Sequence, residues 1–218
     1  MRAAERLEPL AFEPGSRLPE TADVWWRTRV DARRLTRIEW LSAAYTTIYV
    51  TPFFIMGAVL VAIEPLLVPV SLLCLLHAWV IPELFAHRGA RVLAPRDRRG
   101  DAGRGLLADL LDRQAAAIED RTGAVVERGA LGVWVLAEQG ALLVRPGGRR
   151  VHALCVGVKS PDLGRADRIA HLLLALRQDE QGFATVANHA FAGGAWRIRR
   201  RLPHERRPAL DAARALAR

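Results

Sequence analysis

Apolar residues are concentrated in one block of the sequence, over residues 40–86. Residues 40–63 contain no charged side chain, Glu64 and Pro65 interrupt the block, and residues 66–82 are uncharged again. Because a helix rises about 1.5 Å per residue, the first segment alone reaches about 36 Å and exceeds the hydrocarbon core of a bilayer, about 30 Å thick. The pattern predicts a transmembrane helical hairpin that turns at Glu64.

Three other interpretations of this block fit the sequence less well. A secretory signal peptide lies at the extreme N-terminus, whereas 39 residues precede the block. A buried hairpin of a soluble protein usually keeps a polar face, and a single helix along the membrane surface would be interrupted by three prolines. These are Pro52, Pro65 and Pro69.

The rest of the sequence divides into four segments around the hairpin. Residues 1–22 combine prolines with charges and predict a flexible N-terminal tail. Residues 23–39 predict a basic amphipathic juxtamembrane helix with Asp23 as its N-cap, either bound at the membrane interface or extending the first span. Residues 87–102 predict a charged linker. Residues 103–218 mix helical and strand patterns, and we expect them to fold as an independent α+β domain.

The α+β domain is predicted to contain an antiparallel β-meander between helices. Apolar side chains at helical spacing mark a helix on each side of the meander, and turns containing Gly or Pro separate its strands. In chain order the predicted elements are a helix over 103–122, strands over 124–127, 131–137, 141–144 and 151–158, helices over 165–178 and 183–191, a strand over 195–200 and a helix over 206–217.

Positive charge flanks the apolar block and is absent from it. The chain has a net charge of +9, yet residues 38–87 contain no Lys or Arg. The positive-inside rule therefore places both termini in the cytoplasm and the turn at Glu64 outside. The basic residues are 31 Arg and one Lys, as a GC-rich bacterial genome would produce, so we expect a multi-pass protein of the bacterial inner (plasma) membrane. Neither Cys74 nor Cys155 suggests a disulfide, in agreement with a reducing compartment.

Polar side chains within the block are the first candidate for function. Pro52 leaves the carbonyl of Ile48 without its usual helical donor, and His77 on the second span lies at nearly the same depth. His77 is therefore predicted to make an intramembrane polar contact near Thr47 and Thr51. An ionisable residue at such depth can serve a proton path, but one neutral imidazole can also link two helices, and a two-helix hairpin encloses no pathway.

A basic cluster within residues 196–207 is the second candidate. Its central arginines predict contact with phosphate groups, of anionic lipid at the inner membrane surface or, less favoured, of nucleic acid. A solvated charged face in an arginine-rich protein explains the same composition. The arginines are Arg197, Arg199, Arg200 and Arg201.

Motifs for catalysis, cofactors and metals are not found in the sequence. It has no phosphate-binding glycine motif, no nucleophile elbow and no Cys or His spacing of a metal site, so we expect no metal and no cofactor. The predicted order of helix, meander, helix and strand resembles the core of restriction-endonuclease-like folds, over at most residues 103–200. Such nucleases hold Mg²⁺ with a Glu-x-Lys pair and an acidic residue one strand earlier. Here Lys159 matches the Lys, but Gly157 stands in the place of the Glu.

These patterns predict a membrane-anchored cytoplasmic interaction or regulatory module. We expect it to be a subunit of a larger assembly, in contact with membrane lipids and with another membrane protein or a second copy of the chain. The alternative is a membrane-bound enzyme, weakly nuclease-like, with a site that the sequence does not reveal.

Overall fold

The computed structural model describes residues 28–94, 104–158 and 163–218. The predicted tail over residues 1–22, the predicted N-cap Asp23 and most of the predicted linker lie outside these residues. The described chain forms a hairpin of two long helices, followed by an antiparallel sheet with helices on both of its faces.

The hairpin consists of α1 (Ala32–Ile63) and α2 (Val68–Arg91), which are joined by Glu64 and a 3-10 turn over Pro65–Leu67 and pack against each other. Both helices are long and apolar enough to cross a membrane. Their apolar side chains point outward, since only 6% of the most apolar stretch of α1 and 11% of that of α2 are buried. A core helix of a soluble protein would be mostly buried over the same length.

The start of α1 differs from the sequence prediction. Residues 28–30 are not helical, and the Asp31 carboxylate accepts a 2.7 Å hydrogen bond from the Arg34 N–H, which caps the helix. The helix predicted from Asp23 therefore begins at Ala32 in the described chain. It continues into the apolar segment without a break, so that the basic and apolar segments form one helix.

The remaining residues form a five-stranded sheet and six helices within the described chain. The elements are α3 (Arg104–Leu110), α4 (Arg113–Thr122), β1 (Val125–Arg128), β2 (Val133–Ala137), β3 (Gly140–Val144), β4 (Arg150–Cys155), α5 (Arg165–Gln178), α6 (Glu180–Val186), β5 (Asn188–Gly194), α7 (Ala195–Arg201) and α8 (Arg207–Leu216). The strand order is β1-β2-β3-β4-β5, and every neighbouring pair is antiparallel. The predicted α+β arrangement with an antiparallel meander is present.

The helix predicted over residues 103–122 is interrupted. The Asp112 side chain accepts a 2.7 Å hydrogen bond from the Ala115 N–H and caps α4, so that α3 and α4 are separate helices. Asp competes well for backbone N–H groups, and it is therefore favoured at a cap over a helix interior.

Two of the elements that follow α5 were also predicted incorrectly, whereas the final helix, predicted over residues 206–217, is present as α8. The helix predicted over residues 183–191 ends at Val186, and residues 188–194 form β5 because β4 offers them a free edge with which to pair. The strand predicted over residues 195–200 is α7, in which Ala195 and Ile198 are buried one helical turn apart. Alternation of apolar and charged residues over so short a segment is compatible with a strand or a helix, and packing against the hairpin favours the helix.

Apolar side chains pack on both faces of the sheet, and both cores include residues of the hairpin helices or their flanks. Val92 and Leu93, just after α2, are buried with α4 and α8 on one face. Val30 and Leu35, around the start of α1, are buried with α5 and α6 on the other face. Both cores therefore extend beyond the boundary predicted at residue 103.

Small residues on α2 allow it to lie directly on the sheet. A Cβ atom at Gly89 would lie 2.5 Å from Phe191 Cβ and 2.8 Å from Ile198 Cδ1, which no real side chain tolerates without movement. Ala86 and Ala90 on the same helix are buried in the same core. The hairpin is thus attached to β5 and α7 by close packing.

Candidate functional site

A groove lies where the hairpin meets β5, which forms one edge of the sheet. The Ser42 hydroxyl on α1 donates a 3.2 Å hydrogen bond to the Ala192 carbonyl on β5. The groove beside this contact has a volume of about 610 Å³, and its lining includes Tyr45 of α1, Phe85 of α2 and residues 190–194 of β5. It is open to the surface and combines apolar side chains with backbone.

The groove is strongly basic. Four arginines line it, and no acidic side chain is found in its lining within the described residues. Arg214 donates a 2.9 Å hydrogen bond to a backbone carbonyl, and the Nε of Arg150 lies 3.8 Å from a Glu39 oxygen. The side chains of Arg149 and Arg197 have no hydrogen bond or ion pair with any described residue. Two guanidinium groups are therefore available to an anionic ligand.

Two of the arginines predicted to contact phosphate are engaged by acids. Arg199 donates two hydrogen bonds of 2.8 Å to the Asp211 carboxylate, and these bonds lower the pKa of Asp211 below its usual range. The Nε of Arg201 donates a 2.9 Å hydrogen bond to Glu83 on α2. These ion pairs attach α7 to α8 and to the hairpin, so Arg199 and Arg201 stabilise the fold.

The other two predicted arginines lie beside an exposed aromatic ring. The guanidinium carbons of Arg197 and Arg200 are 5.3 Å and 5.9 Å from the centre of the Trp196 ring, within cation–π range. Trp196 is 51% exposed. Of the predicted cluster, Arg197 lines the groove. The structure therefore separates the four arginines into two pairs with different surroundings.

Sequence reasoning missed the other arginines of the groove. Arg149 and Arg150 follow the turn between β3 and β4, and Arg214 lies on α8. The first two fall between the strands predicted over residues 141–144 and 151–158, and the third falls within the helix predicted over residues 206–217. Only the packing of α8 and the sheet brings them to Arg197.

The polar side chains predicted to meet inside the hairpin are not brought together. Nδ1 of His77 donates a 2.9 Å hydrogen bond to the Leu73 carbonyl of its own helix, and the imidazole stacks on Phe53 at 5.6 Å. The Thr47 hydroxyl bonds to a carbonyl of α1. Thr47 and Thr51 are both exposed on the outside of the hairpin.

The polar contact between the two long helices is made elsewhere. The Ser71 hydroxyl donates a 2.6 Å hydrogen bond to the Gly57 carbonyl, and a Cβ at Gly57 would lie 3.2 Å from that hydroxyl oxygen. Small residues at a helix crossing and a hydroxyl bonding across it are typical of membrane helix pairs. A Gly and a Ser within apolar runs are the only sequence signal for this contact.

A charged cluster joins α1 to the sheet beside the groove. One oxygen of Glu39 lies 2.9 Å from Nε2 of His152 and 3.6 Å from Nε of Arg145, while the other lies 3.8 Å from Arg150. His152 is fully buried, and its Nδ1 has no hydrogen-bond partner among the described residues. A single carboxylate on α1 is thus surrounded by three basic side chains from the β3–β4 hairpin.

A second buried polar cluster lies away from the groove. Arg165 donates a 2.6 Å hydrogen bond to Glu119, and the neighbouring Arg206 is 3% exposed. Burial, together with the charge of Arg165, lowers the pKa of Arg206. The left-handed C-cap Gly123 packs against both guanidinium groups, where a Cβ would lie 2.3 Å from Nη1 of Arg165. The ion pair between Glu119 of α4 and Arg165 of α5 therefore links these two helices.

In the described residues, no group of three or more His, Cys, Asp or Glu side chains is arranged to hold a metal ion. Lys159, which carries the resemblance to nucleases, lies outside them. No family model matches the sequence, and no curated protein or solved structure is significantly similar to it. The features of the chain that bear on its function are therefore the basic groove, the apolar hairpin and the packing that joins the hairpin to the sheet.

Proposed function

We propose that the chain is an integral protein of the bacterial plasma membrane, and that its α+β domain is an interaction or regulatory module held at the cytoplasmic surface. The observation that carries this proposal is the outward-facing apolar surface of the hairpin. Large apolar side chains from Trp40 on α1 to Leu84 on α2 are exposed. Water would penalise such a surface, and a bilayer would cover it.

The position of the domain supports the orientation. Leu35 near the start of α1 and Leu93 after α2 are both buried in the domain, so the domain lies at the same end of both helices. The arginine-rich flanks are at that end, while residues 38–87 contain no Lys or Arg. The positive-inside rule assigns this end to the cytoplasm.

The rigid attachment of the domain to the hairpin favours a module that works as a fixed subunit of a larger assembly. Direct packing at Gly89 and the charged cluster at Glu39 leave the domain little freedom relative to the hairpin. Thr51 presents its hydroxyl group on the outer surface of α1, where hydrogen bonding to another spanning helix is favourable. We propose that the chain is a subunit and that this face of α1 meets its membrane partner, a second copy or another protein.

Cysteine labelling in intact cells tests the anchoring and the orientation. In a Cys74→Ala background, the exposed Cys155 of β4 should resist a membrane-impermeant maleimide until the cells are permeabilised. A Glu64→Cys variant that also lacks Cys155 should be labelled in intact cells. Labelling of Cys155 before permeabilisation, or release of the chain by alkaline carbonate, would contradict the proposal.

Photo-crosslinking in the membrane tests the proposed partner face. A photoreactive residue at Thr51 should give a discrete protein adduct, whose mass distinguishes a second copy from a different protein. The same residue at Leu73, exposed on α2, is the matched control and should give only lipid adducts. Equal yields from the two positions, or no adduct from Thr51, would count against a partner at this face.

A further inference from the structure

The groove lies at the depth where phospholipid headgroups meet acyl chains. At 1.5 Å per residue, Tyr45 is about 27 Å along α1 from Ile63, and Phe85 is about 26 Å along α2 from Val68. Both side chains line the groove. Since the hydrocarbon core is about 30 Å thick, they mark its inner boundary when the hairpin spans the bilayer. The groove then opens onto the inner leaflet.

The chemistry of the groove matches both parts of an anionic phospholipid. Arg149 and Arg197 present guanidinium groups that no described acid neutralises, and Trp196 lies beside Arg197 at the rim. Towards the hairpin the lining combines aromatic rings with hydroxyl groups and leads to the exposed apolar faces of both helices. The rings are those of Tyr45 and Phe85, and the hydroxyl groups belong to Ser42, Thr46 and Thr47. A guanidinium binds phosphate oxygens well, and Trp favours the interfacial region.

We propose that this groove binds one anionic phospholipid of the inner leaflet. The phosphate is held by Arg149 and Arg197, with Arg150 and Arg214 adding positive charge, and the acyl chains lie along the exposed faces of α1 and α2. The inference rests on the proposed membrane anchoring. Nucleic acid is a poorer match, because it would have to enter between the domain and the bilayer.

Lipid retention by the full chain tests this proposal. The chain is reconstituted in phosphatidylcholine nanodiscs that contain phosphatidylglycerol, and bound lipid is counted by native mass spectrometry after release. We expect one retained phosphatidylglycerol per chain. Binding of a fluorescent phosphatidylglycerol in neutral detergent should weaken about fivefold in Arg149→Gln or Arg197→Gln, and about 25-fold in the double variant.

The matched control is Arg113→Gln, which removes an exposed arginine of α4 outside the groove and should leave binding unchanged. Arg149 and Arg197 make no hydrogen bond or ion pair with a described residue, and the exposed cation–π contact of Arg197 with Trp196 contributes little to stability, so their variants should melt near the wild-type temperature. Soluble glycerol phosphate should not displace the lipid, because it lacks the acyl chains.

Three results would overturn the lipid site. They are equal retention of phosphatidylcholine and phosphatidylglycerol, an equal effect of Arg113→Gln and Arg197→Gln, and displacement by glycerol phosphate alone. Failure of the chain to enter nanodiscs would instead contradict the anchoring. The two proposals therefore fail in different experiments.

Discussion

A fragment that begins at residue 104 should fail to fold on its own, although the sequence predicts an independent domain over residues 103–218. Removing the hairpin also removes Val30, Leu35, Val92 and Leu93, each at most 4% exposed in the whole chain. Burial of a Val or Leu side chain stabilises a protein by about 1.5–3 kcal/mol, so the four contribute about 6–12 kcal/mol. The entire stability of a domain is about 5–15 kcal/mol.

Circular dichroism and two-dimensional NMR of the fragment, compared with the full chain in detergent, measure this effect. The fragment should show no cooperative melting and little spectral dispersion. In the full chain, Leu93→Ala should cost about 2–5 kcal/mol, as expected for a buried leucine. Leu84→Ala, at a position 57% exposed, is the matched control and should cost little in detergent. A fragment that melts cooperatively would show that the hairpin is a dispensable tether.

This dependence has a functional consequence. A domain that completes its two cores with residues from the helix ends cannot move far from the hairpin without unfolding in part. Tilting or separation of α1 and α2 would act directly on Leu35 and Leu93 in the two cores. Such an arrangement would suit the regulatory module proposed above, because a change in the hairpin would reach the sheet through packed side chains.

Elements with strong local signals were predicted well from the sequence. The turn between β3 and β4 contains Gly147 and Gly148, both in left-handed backbone conformations with φ of +89° and +68°. Glycine adopts these conformations readily, so the Pro-Gly-Gly sequence specified the turn without tertiary information. The helix over residues 165–178 was also predicted with the bounds observed, because its apolar residues repeat at helical spacing.

Elements that depend on distant partners were predicted poorly. Residues 188–194 form a strand because the edge of β4 is available to them, and residues 195–201 form a helix because α2 covers Ile198. Leu93 lies in the charged segment that follows the apolar block, and nothing in the local pattern shows that it is fully buried. Secondary-structure preference over six or seven residues is too weak to resist such packing.

Of the four arginines that line the groove, only one was among those predicted from the sequence to contact phosphate, for the same reason. Arg197 was recognised within a dense basic run, whereas Arg149 and Arg214 come from a turn and from α8, and only the fold gathers them. Conversely, Arg199 was included in the predicted cluster although Asp211 engages it, because an acid twelve residues away leaves no local signal. Composition predicted contact with phosphate groups, and the tertiary structure shows that two arginines of the predicted cluster, Arg199 and Arg201, are paired with acids.

Replacement of Glu39 should destabilise the chain more than loss of an exposed ion pair. The Glu39 side chain is 14% exposed, contacts Nε2 of the fully buried His152 and lies beside Arg145. Glu39→Ala leaves that buried nitrogen and the charge of Arg145 without an acceptor, and one unsatisfied buried group alone costs about 1–3 kcal/mol. Asp211→Ala, which breaks the exposed pair with Arg199, is the matched control and should cost under about 1 kcal/mol.

A double-mutant cycle identifies the partner responsible for this loss. His152→Phe keeps an aromatic ring in the same space and removes the nitrogen that contacts Glu39. In this background Glu39→Ala should cost less than in the wild type, because the buried imidazole no longer needs an acceptor, and the difference measures the coupling. Equal losses in both backgrounds would assign the effect of Glu39 to Arg145 and Arg150. Glu39→Gln, which retains an oxygen acceptor for His152 without the charge, should fall between the wild type and Glu39→Ala, and melting in detergent compares all of these variants.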